Sequence, residues 1–210
     1  MPREKIDTNK IADISYNEEA LRKALHVFSI IIPLIYYFVP RSSALIILLP
    51  GCIIAIVFDL ARMTGHPIWT RFGVILFGKM VRPKEKEGFT GASYILCTDF
   101  LVILMFNKPV AMCAITFIAL GDTAAAMIGR RWGFHKFGKK SIEGSLGFFL
   151  AAAASAVFFH HVYQTGLPLI VGLSGALIAT LVEAMSVRSD DNLTVPIMSG
   201  LYMQIFFTFL

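Results

Sequence analysis

The chain has 210 residues, of which 56% are hydrophobic and 16% charged, with a mean hydropathy of +0.69 and a formal net charge of +5. A soluble globular domain is typically closer to half apolar. Here the apolar surplus is collected in long blocks, which argues against a soluble fold. The length leaves no room for a large soluble domain beside a membrane core, so we expect one domain over residues 1–210.

Seven apolar blocks follow one another along the chain, and a helix needs about 20 mostly apolar residues to cross a bilayer. A charged segment over residues 1–20 precedes the first block, and a polar segment over 62–90 separates the second from the third. Within the polar segment, residues 66–81 mix aromatic and basic side chains, which is typical of a helix in the membrane interface. An eighth short span or a re-entrant segment is the alternative. The predicted spans cover residues 21–40, 43–61, 91–106, 109–129, 144–163, 167–186 and 194–210.

The lysines and arginines indicate an orientation for these spans. All but two of the 19 Lys and Arg residues, Arg41 and Lys108, fall in segments on the side of the N-terminus. Positive charge accumulates in cytoplasmic loops, so these segments are expected on the cytoplasmic side. The predicted fold is an all-α polytopic membrane protein of about seven transmembrane helices. Its N-terminus is expected inside and its C-terminus outside. The same bias explains the net charge, so no nucleic acid partner is invoked.

Four carboxylates fall within the predicted spans, where charge is costly and usually faces a polar cavity or a partner. Asp59, Asp122 and Glu183 all lie near cytoplasmic helix ends. Together they can hold a hard cation such as Mg²⁺, which takes one or two carboxylates plus waters and phosphates. For Asp59, a simple pairing with Arg62 one turn later is an equal alternative. Asp99 lies deeper and is interpreted as a structural hydrogen-bond partner.

The loop over residues 129–145 has the sequence GRRWGFHKFGKKSIEGS. It is close to a P-loop, but Lys140 stands where that motif has Ser or Thr, and a membrane helix precedes it instead of a strand. Glycines can still let backbone N–H groups approach phosphate oxygens, with Lys139 and Lys140 supplying charge. Ser141 is expected to cap the fifth span, whose positive dipole end would face the cytoplasm. An ordinary positive-inside loop would explain the charge but not the glycines or Glu143.

Other polar residues cluster at predicted cytoplasmic helix ends. The third and seventh spans both open with short polar segments that are individually simple caps, yet together can surround one phosphate. The basic start of the first span is equally a snorkelling anchor or a phosphate contact. The third span opens at Thr90 and the seventh at Asp191 and Asn192. The basic start of the first span contains Arg22, Lys23 and His26.

Residues 121–145, GDTAAAMIGRRWGFHKFGKKSIEGS, resemble the signature shared by the polyprenol kinases: dolichol kinase, phytol kinase and CTP-dependent diacylglycerol kinase. Supporting pieces are Arg22-Lys23-x-x-His26, the stretch over 87–94, and Glu183 followed by Asp191-Asn192-x-Thr194-x-Pro196. The resemblance covers about residues 18–200.

This resemblance implies a membrane kinase that phosphorylates a lipid alcohol at the cytoplasmic face of the bilayer, with CTP as donor and Mg²⁺ required. Asp122 would be a metal ligand or the base toward the lipid hydroxyl. The implied catalytic residues are Asp122, Lys140 and Glu143; the implied nucleotide or phosphate contacts are Arg22, Lys23, His26, Thr90, Thr123, Gly138, Lys139, Lys140, Ser141, Gly144 and Asn192; and the implied metal ligands are Asp122, Glu183 and Asp191.

Two other functions are open at this point. Phosphatidate cytidylyltransferases share a related Gly-Asp-Thr and Lys-x-x-x-Glu-Gly pattern, although their C-terminal His-Gly-Gly and paired Asp-Arg are absent here. A non-enzymatic lipid transporter or lipid-binding protein is the second. The sequence also leaves open which alcohol is used: phytol, polyprenol, dolichol or diacylglycerol.

Overall fold

A computed structural model describes residues 26–67, 88–138, 140–186 and 190–209. The predicted phosphate contacts Arg22, Lys23 and Lys139 lie outside these ranges, as do the segment over 1–20 and most of the predicted interfacial helix. The described elements are α1 (Ile31–Phe38), α2 (Arg41–Met63), α3 (Gly91–Met105), α4 (Lys108–Trp132), β1 (Lys136–Phe137), β2 (Lys140–Ser141), α5 (Ile142–His161), α6 (Leu169–Met185) and α7 (Asp191–Phe209).

The helical architecture predicted from the sequence is confirmed, since each of the seven described helices overlaps one predicted span. The short antiparallel β1–β2 hairpin is a departure from an all-α fold. Within the described residues, α2, α4 and α5 are long and apolar enough to cross a membrane, while α3, α6 and the stretch His26–Phe38 are shorter apolar helices. The count of seven crossings and the orientation of the termini therefore stay predictions.

Helix α4 lies at the centre of the bundle and packs against α1, α3, α5, α6 and α7. Every residue from 111 to 119 is buried, whereas α2 leaves large apolar side chains such as Ile46 and Ile54 exposed. A helix that is apolar all round and buried on every side is the expected core of a membrane bundle. The exposed apolar side chains of the outer helices then face lipid.

Small residues bring α4 and α5 into close contact. A Cβ on Gly121 would lie only 2.6 Å from the Phe148 ring, and one on Gly147 would lie 2.5 Å from the Ile128 side chain. Glycines at helix contacts let backbones approach closely in membrane bundles. This contact fixes the second half of α4, including Asp122, against the start of α5.

Candidate active site

A cavity of about 730 Å³ lies at one end of the bundle, where α4 and α6 end and α5 and α7 begin. Consecutive helices of the bundle run in alternating directions, so the ends of α4 and α6 lie on the same face as the starts of α5 and α7. The cavity wall carries both signs of charge. Its basic residues are Arg130, Arg131, Lys136 and Lys140, and its acidic residues are Asp122, Glu183 and Asp191.

The β1–β2 hairpin forms one side of this cavity. Phe137 pairs with Lys140, and Gly138 takes a φ of +60° in the turn between them, a left-handed conformation that glycine adopts without a Cβ penalty. At the end of β2, Ser141 Oγ accepts the Gly144 N–H at 3.1 Å and caps α5. The predicted N-cap is therefore confirmed, and it places Lys140 immediately before a helix N-terminus.

Glycines bring the end of α4 close to the start of α5 beneath this cap. A Cβ on Gly144 would lie 3.0 Å from both Ser141 Oγ and the Ala125 carbonyl oxygen, and one on Gly129 would lie 3.1 Å from Ser141 Oγ. Both glycines line the cavity. A side chain at either position would collide with the protein, so both glycines are needed for the close contact of α4 and α5 at this end of the cavity.

Lys140 connects the β1–β2 hairpin to the opposite side of the cavity, which the end of α6 and the start of α7 form. Its Nζ lies 2.7 Å from Glu183 Oε1 and 3.1 Å from Asp191 Oδ2, and it also donates to the Glu183 backbone carbonyl. The side chain of Glu183 is 6% exposed and that of Asp191 27%. One ammonium thus ties together the end of α6 and the start of α7.

Two buried polar side-chain atoms of cavity residues have no hydrogen-bond partner among the described residues: Ser145 Oγ in α5 and Glu183 Oε2 in α6. Both residues line the cavity. Buried polar groups are normally satisfied, so unpaired ones in a cavity indicate a polar ligand, an ion or water.

The donor set suits Mg²⁺. Three carboxylates line the cavity, and Mg²⁺ requires only one or two of them when phosphates and waters complete its shell. No three Asp, Glu, His or Cys side chains in the described part of the chain form a ready-made metal cluster. Binding at this wall would therefore use the unpaired Glu183 Oε2 together with oxygens from outside the protein.

The structure brings seven of the sequence-predicted site residues to this one cavity, although they come from the β1–β2 hairpin and four separate helices. They are Asp122, Gly138, Lys140, Ser141, Gly144, Glu183 and Asp191.

Five other predicted site residues within the described ranges do not line it. Thr123 Oγ1 donates to the Ala119 carbonyl one turn earlier, and the backbone N–H of Asn192 donates to Asp190 Oδ1. The buried His26 ring contacts the Ile118 carbonyl through Nε2 at 3.2 Å. Glu143, predicted to be catalytic, instead accepts hydrogen bonds from the His135 backbone N–H and contacts His135 Nδ1 at 2.7 Å.

Thr90 lies in a separate buried cluster with Asp59. Asp59 Oδ1 is 3.0 Å from the Arg62 guanidinium, as the structural alternative predicted. Its Oδ2 accepts from the Thr90 N–H and hydroxyl and from Ser93 Oγ at 2.8, 3.1 and 2.5 Å. Both oxygens of Asp59 are therefore satisfied by the junction of α2 and α3, and neither Asp59 nor Thr90 lines the cavity.

Some cavity residues were not singled out from the sequence. Phe134 is 79% exposed and lines the cavity between its basic residues, and Ser145 supplies an unpaired hydroxyl. Ser145 lies four residues after Ser141, so helical spacing from the predicted cap is the signal that would have found it. Phe134 has no comparable signal, because an aromatic residue in a membrane-surface loop is ordinary.

Comparison with known proteins extends over most of the chain. It is 31% identical over 198 residues to an uncharacterised protein of Rickettsia prowazekii, covering 91% of this chain and 96% of that one. It is 28% identical over 208 residues to CTP-dependent diacylglycerol kinase 1 of Schizosaccharomyces pombe, covering 89% of this chain and 92% of the kinase. Over 117 residues it is 38% identical to the phytol kinase of Synechocystis, covering 51% of this chain and 50% of that enzyme.

No family model matches the chain. No solved structure matches it either. The similarity to the CTP-dependent diacylglycerol kinase of Schizosaccharomyces pombe over most of its length, and the partial similarity to another kinase of that name and to a phytol kinase, agree with the resemblance in residues 121–145. The chain belongs to the polyprenol kinase family of membrane lipid kinases.

Proposed function

We propose that this protein is a membrane-embedded kinase that transfers the terminal phosphoryl group of CTP to the hydroxyl of a lipid alcohol. One observation carries the proposal: Asp122, Lys140 and the glycine-lined start of α5 share one cavity at the end of an apolar helical bundle. The relatives named as CTP-dependent diacylglycerol kinase and phytol kinase support both the donor and the class of acceptor.

Phosphoryl transfer asks little covalent chemistry of a protein, because catalysis depends on positioning and on stabilising the charge of the phosphates. The basic residues of the cavity wall supply positive charge, and the open start of α5 adds the positive end of its helix dipole. Gly129 and Gly144 line the cavity beside that helix end. We therefore assign the triphosphate to the hairpin side of the cavity.

The acidic side of the cavity would receive the acceptor hydroxyl and the metal. Mg²⁺, when bound, supplies neutralisation of phosphate charge, and Asp122, Glu183 and Asp191 are the residues that would hold it. We assign Asp122 one of two roles toward the lipid hydroxyl. It either accepts the hydroxyl proton as a base, or it is a ligand of the metal and thereby helps to orient the alcohol.

The lipid tail would reach this site from the side. Met127, Ile142 and Leu146 are 65%, 60% and 57% exposed on the α4 and α5 surfaces next to the cavity. In a bilayer these apolar side chains contact hydrocarbon. A phytol, polyprenol or diacylglycerol molecule lying among them would present its hydroxyl at the interface. The positive-inside bias supports the cytoplasmic side for that interface.

Labelled CTP tests the proposal. The purified chain, in mixed micelles with Mg²⁺, is given CTP labelled in the γ or in the α phosphate, with phytol, a polyprenol, diacylglycerol and phosphatidate as separate acceptors. We expect γ label in the phosphate monoester of a lipid alcohol and no α label in lipid. Lipid carrying α label would show cytidylyl transfer instead, and no turnover with any acceptor would favour a transporter or binding protein.

A further inference from the structure

The ammonium of Lys140 has no donor left for a phosphate in this structure. A lysine ammonium has three N–H groups. They are directed at three acceptors within reach: Glu183 Oε1, the Glu183 backbone carbonyl and Asp191 Oδ2. If Lys140 is to contact a nucleotide, it must first leave at least one of these acceptors.

The two carboxylates it contacts are themselves suited to a metal. Glu183 is 4% exposed, and its second oxygen, Oε2, has no partner among the described residues. Asp191 and Asp122 line the same cavity. An all-oxygen set of carboxylates is what a hard divalent cation prefers. Lys140 thus places one positive charge on the pair of carboxylates that a divalent metal would otherwise bind.

We infer that Lys140 is a built-in counter-ion that exchanges with a divalent cation on Glu183 and Asp191. Without metal, the ammonium holds the two carboxylates together across α6 and α7. Entry of the cation displaces it, and the released ammonium becomes available to the nucleotide phosphates. The phosphate step rests on the proposed function, whereas the exchange itself involves only the protein and the metal.

This exchange has a consequence that simple phosphate binding by Lys140 does not have. Removing a lysine that only contacts phosphates should change metal affinity in the nucleotide-free protein no more than removing a neighbouring lysine such as Lys136. A lysine that competes with the metal for the same carboxylates lowers that affinity much more, so its removal must raise it much more. The size of the effect relative to Lys136 separates the two roles.

The first test uses the wild-type full chain in detergent without nucleotide. Lysines are acetylated with an amine-reactive reagent and quantified by mass spectrometry, with millimolar Mg²⁺ or with NaCl of equal ionic strength. Lys136, which is exposed on the same hairpin, is the internal reference. We expect Mg²⁺ to speed Lys140 acetylation several-fold relative to Lys136. An unchanged or slower rate for Lys140 would overturn the exchange.

The second test measures Mn²⁺ binding by electron paramagnetic resonance of the free ion, again without nucleotide. We expect Lys140→Met to bind Mn²⁺ at least about tenfold more tightly than wild type, since a unit charge a few ångströms away contributes that much at a protein surface. Adding Glu183→Gln to Lys140→Met should abolish the gain. Lys136→Met, which removes the same charge from the same cavity wall, should change the affinity much less.

Affinity in Lys140→Met that does not exceed that of wild type and Lys136→Met would contradict the inference, as would a gain that survives Glu183→Gln. Thermal melting shows whether each variant is folded, and the acetylation test needs no variant. Because neither experiment contains a nucleotide or a lipid, their failure would leave the labelled-CTP result untouched. Failure of phosphoryl transfer in the labelled-CTP assay would likewise leave the results of the two exchange experiments unaffected.

Discussion

Lys140 Nζ lies 2.7 Å from Glu183 Oε1, although the two residues are 43 positions apart. This ion pair connects the hairpin before α5 to the last turn of α6 and forms one wall of the cavity. Both groups are largely buried, so the contact is stronger than an exposed pair and costs more to break from one side. Replacing Lys140 is therefore expected to affect turnover.

We predict that Lys140→Met lowers kcat/KM for phosphoryl transfer by at least about 100-fold, the scale of losing one preorganised charge-stabilising donor. Lys140→Arg keeps the charge and should retain part of the activity. Initial rates with labelled CTP in mixed micelles measure both. Activity of Lys140→Met within about threefold of wild type would remove Lys140 from the reaction.

Glu143 is predicted to act on the hairpin and not on the phosphates. Its carboxylate accepts the His135 N–H at 3.2 Å and contacts the His135 ring at 2.7 Å, which holds the two ends of the hairpin segment together. Glu143→Gln should therefore raise KM for CTP by about tenfold while changing kcat less, as expected when a positioning contact weakens. His135→Ala, which keeps the backbone N–H, should have a smaller effect.

A KM for CTP that is unchanged while kcat falls by a hundredfold would contradict this role for Glu143. That result would restore the direct catalytic role expected from the family resemblance.

Gly121→Ala should destabilise the bundle. The new Cβ would lie 2.6 Å from the buried Phe148 ring, and overpacking of this kind typically costs about 1–3 kcal/mol. Thermal unfolding in detergent measures the loss. Gly51→Ala is the matched control, because its Cβ would be 3.9 Å from Leu96, an ordinary contact, in another membrane helix. Equal melting temperatures for the two variants would show that the close α4–α5 contact is unimportant.

Asp59→Asn should affect folding and not nucleotide binding. The carboxylate pairs with Arg62 and accepts three further hydrogen bonds at the start of α3, and breaking a buried pair from one side costs about 3–5 kcal/mol. We expect a large drop in melting temperature and in yield. KM for CTP, measured on the folded fraction, should stay within about twofold of wild type. A raised KM with normal stability would instead place Asp59 in the substrate site.

Much of this architecture could be predicted because apolar length determines where membrane helices lie. The bounds of α4, for example, Lys108–Trp132, begin one residue before the predicted span and end three after it. Alternation of helix direction then brings Asp122, Ser141 and Glu183 to the same end of the bundle. That reasoning needs no side-chain detail, which is why these three residues were gathered correctly in one cavity.

The partners of long side chains could not be predicted in the same way. Lys140 was expected to face phosphates, yet which acceptors its flexible side chain reaches depends on how α6 and α7 pack beside the hairpin. Asp59 presents the same difficulty. Its bond to Arg62 follows from helical spacing, but its bonds to Thr90 and Ser93 cross 31 and 34 positions of chain. Tertiary packing alone brings such groups together.

The most direct test of the kinase is transfer of γ-labelled phosphate from CTP to a lipid alcohol by wild type and by Asp122→Asn, both purified and shown to melt at similar temperatures. We predict that the wild type labels the lipid and that Asp122→Asn loses at least about 1,000-fold of the rate, because both its proton acceptor and its metal charge are gone. Near-normal transfer by Asp122→Asn would contradict the site, and absence of γ label with the wild type on every alcohol would contradict the kinase.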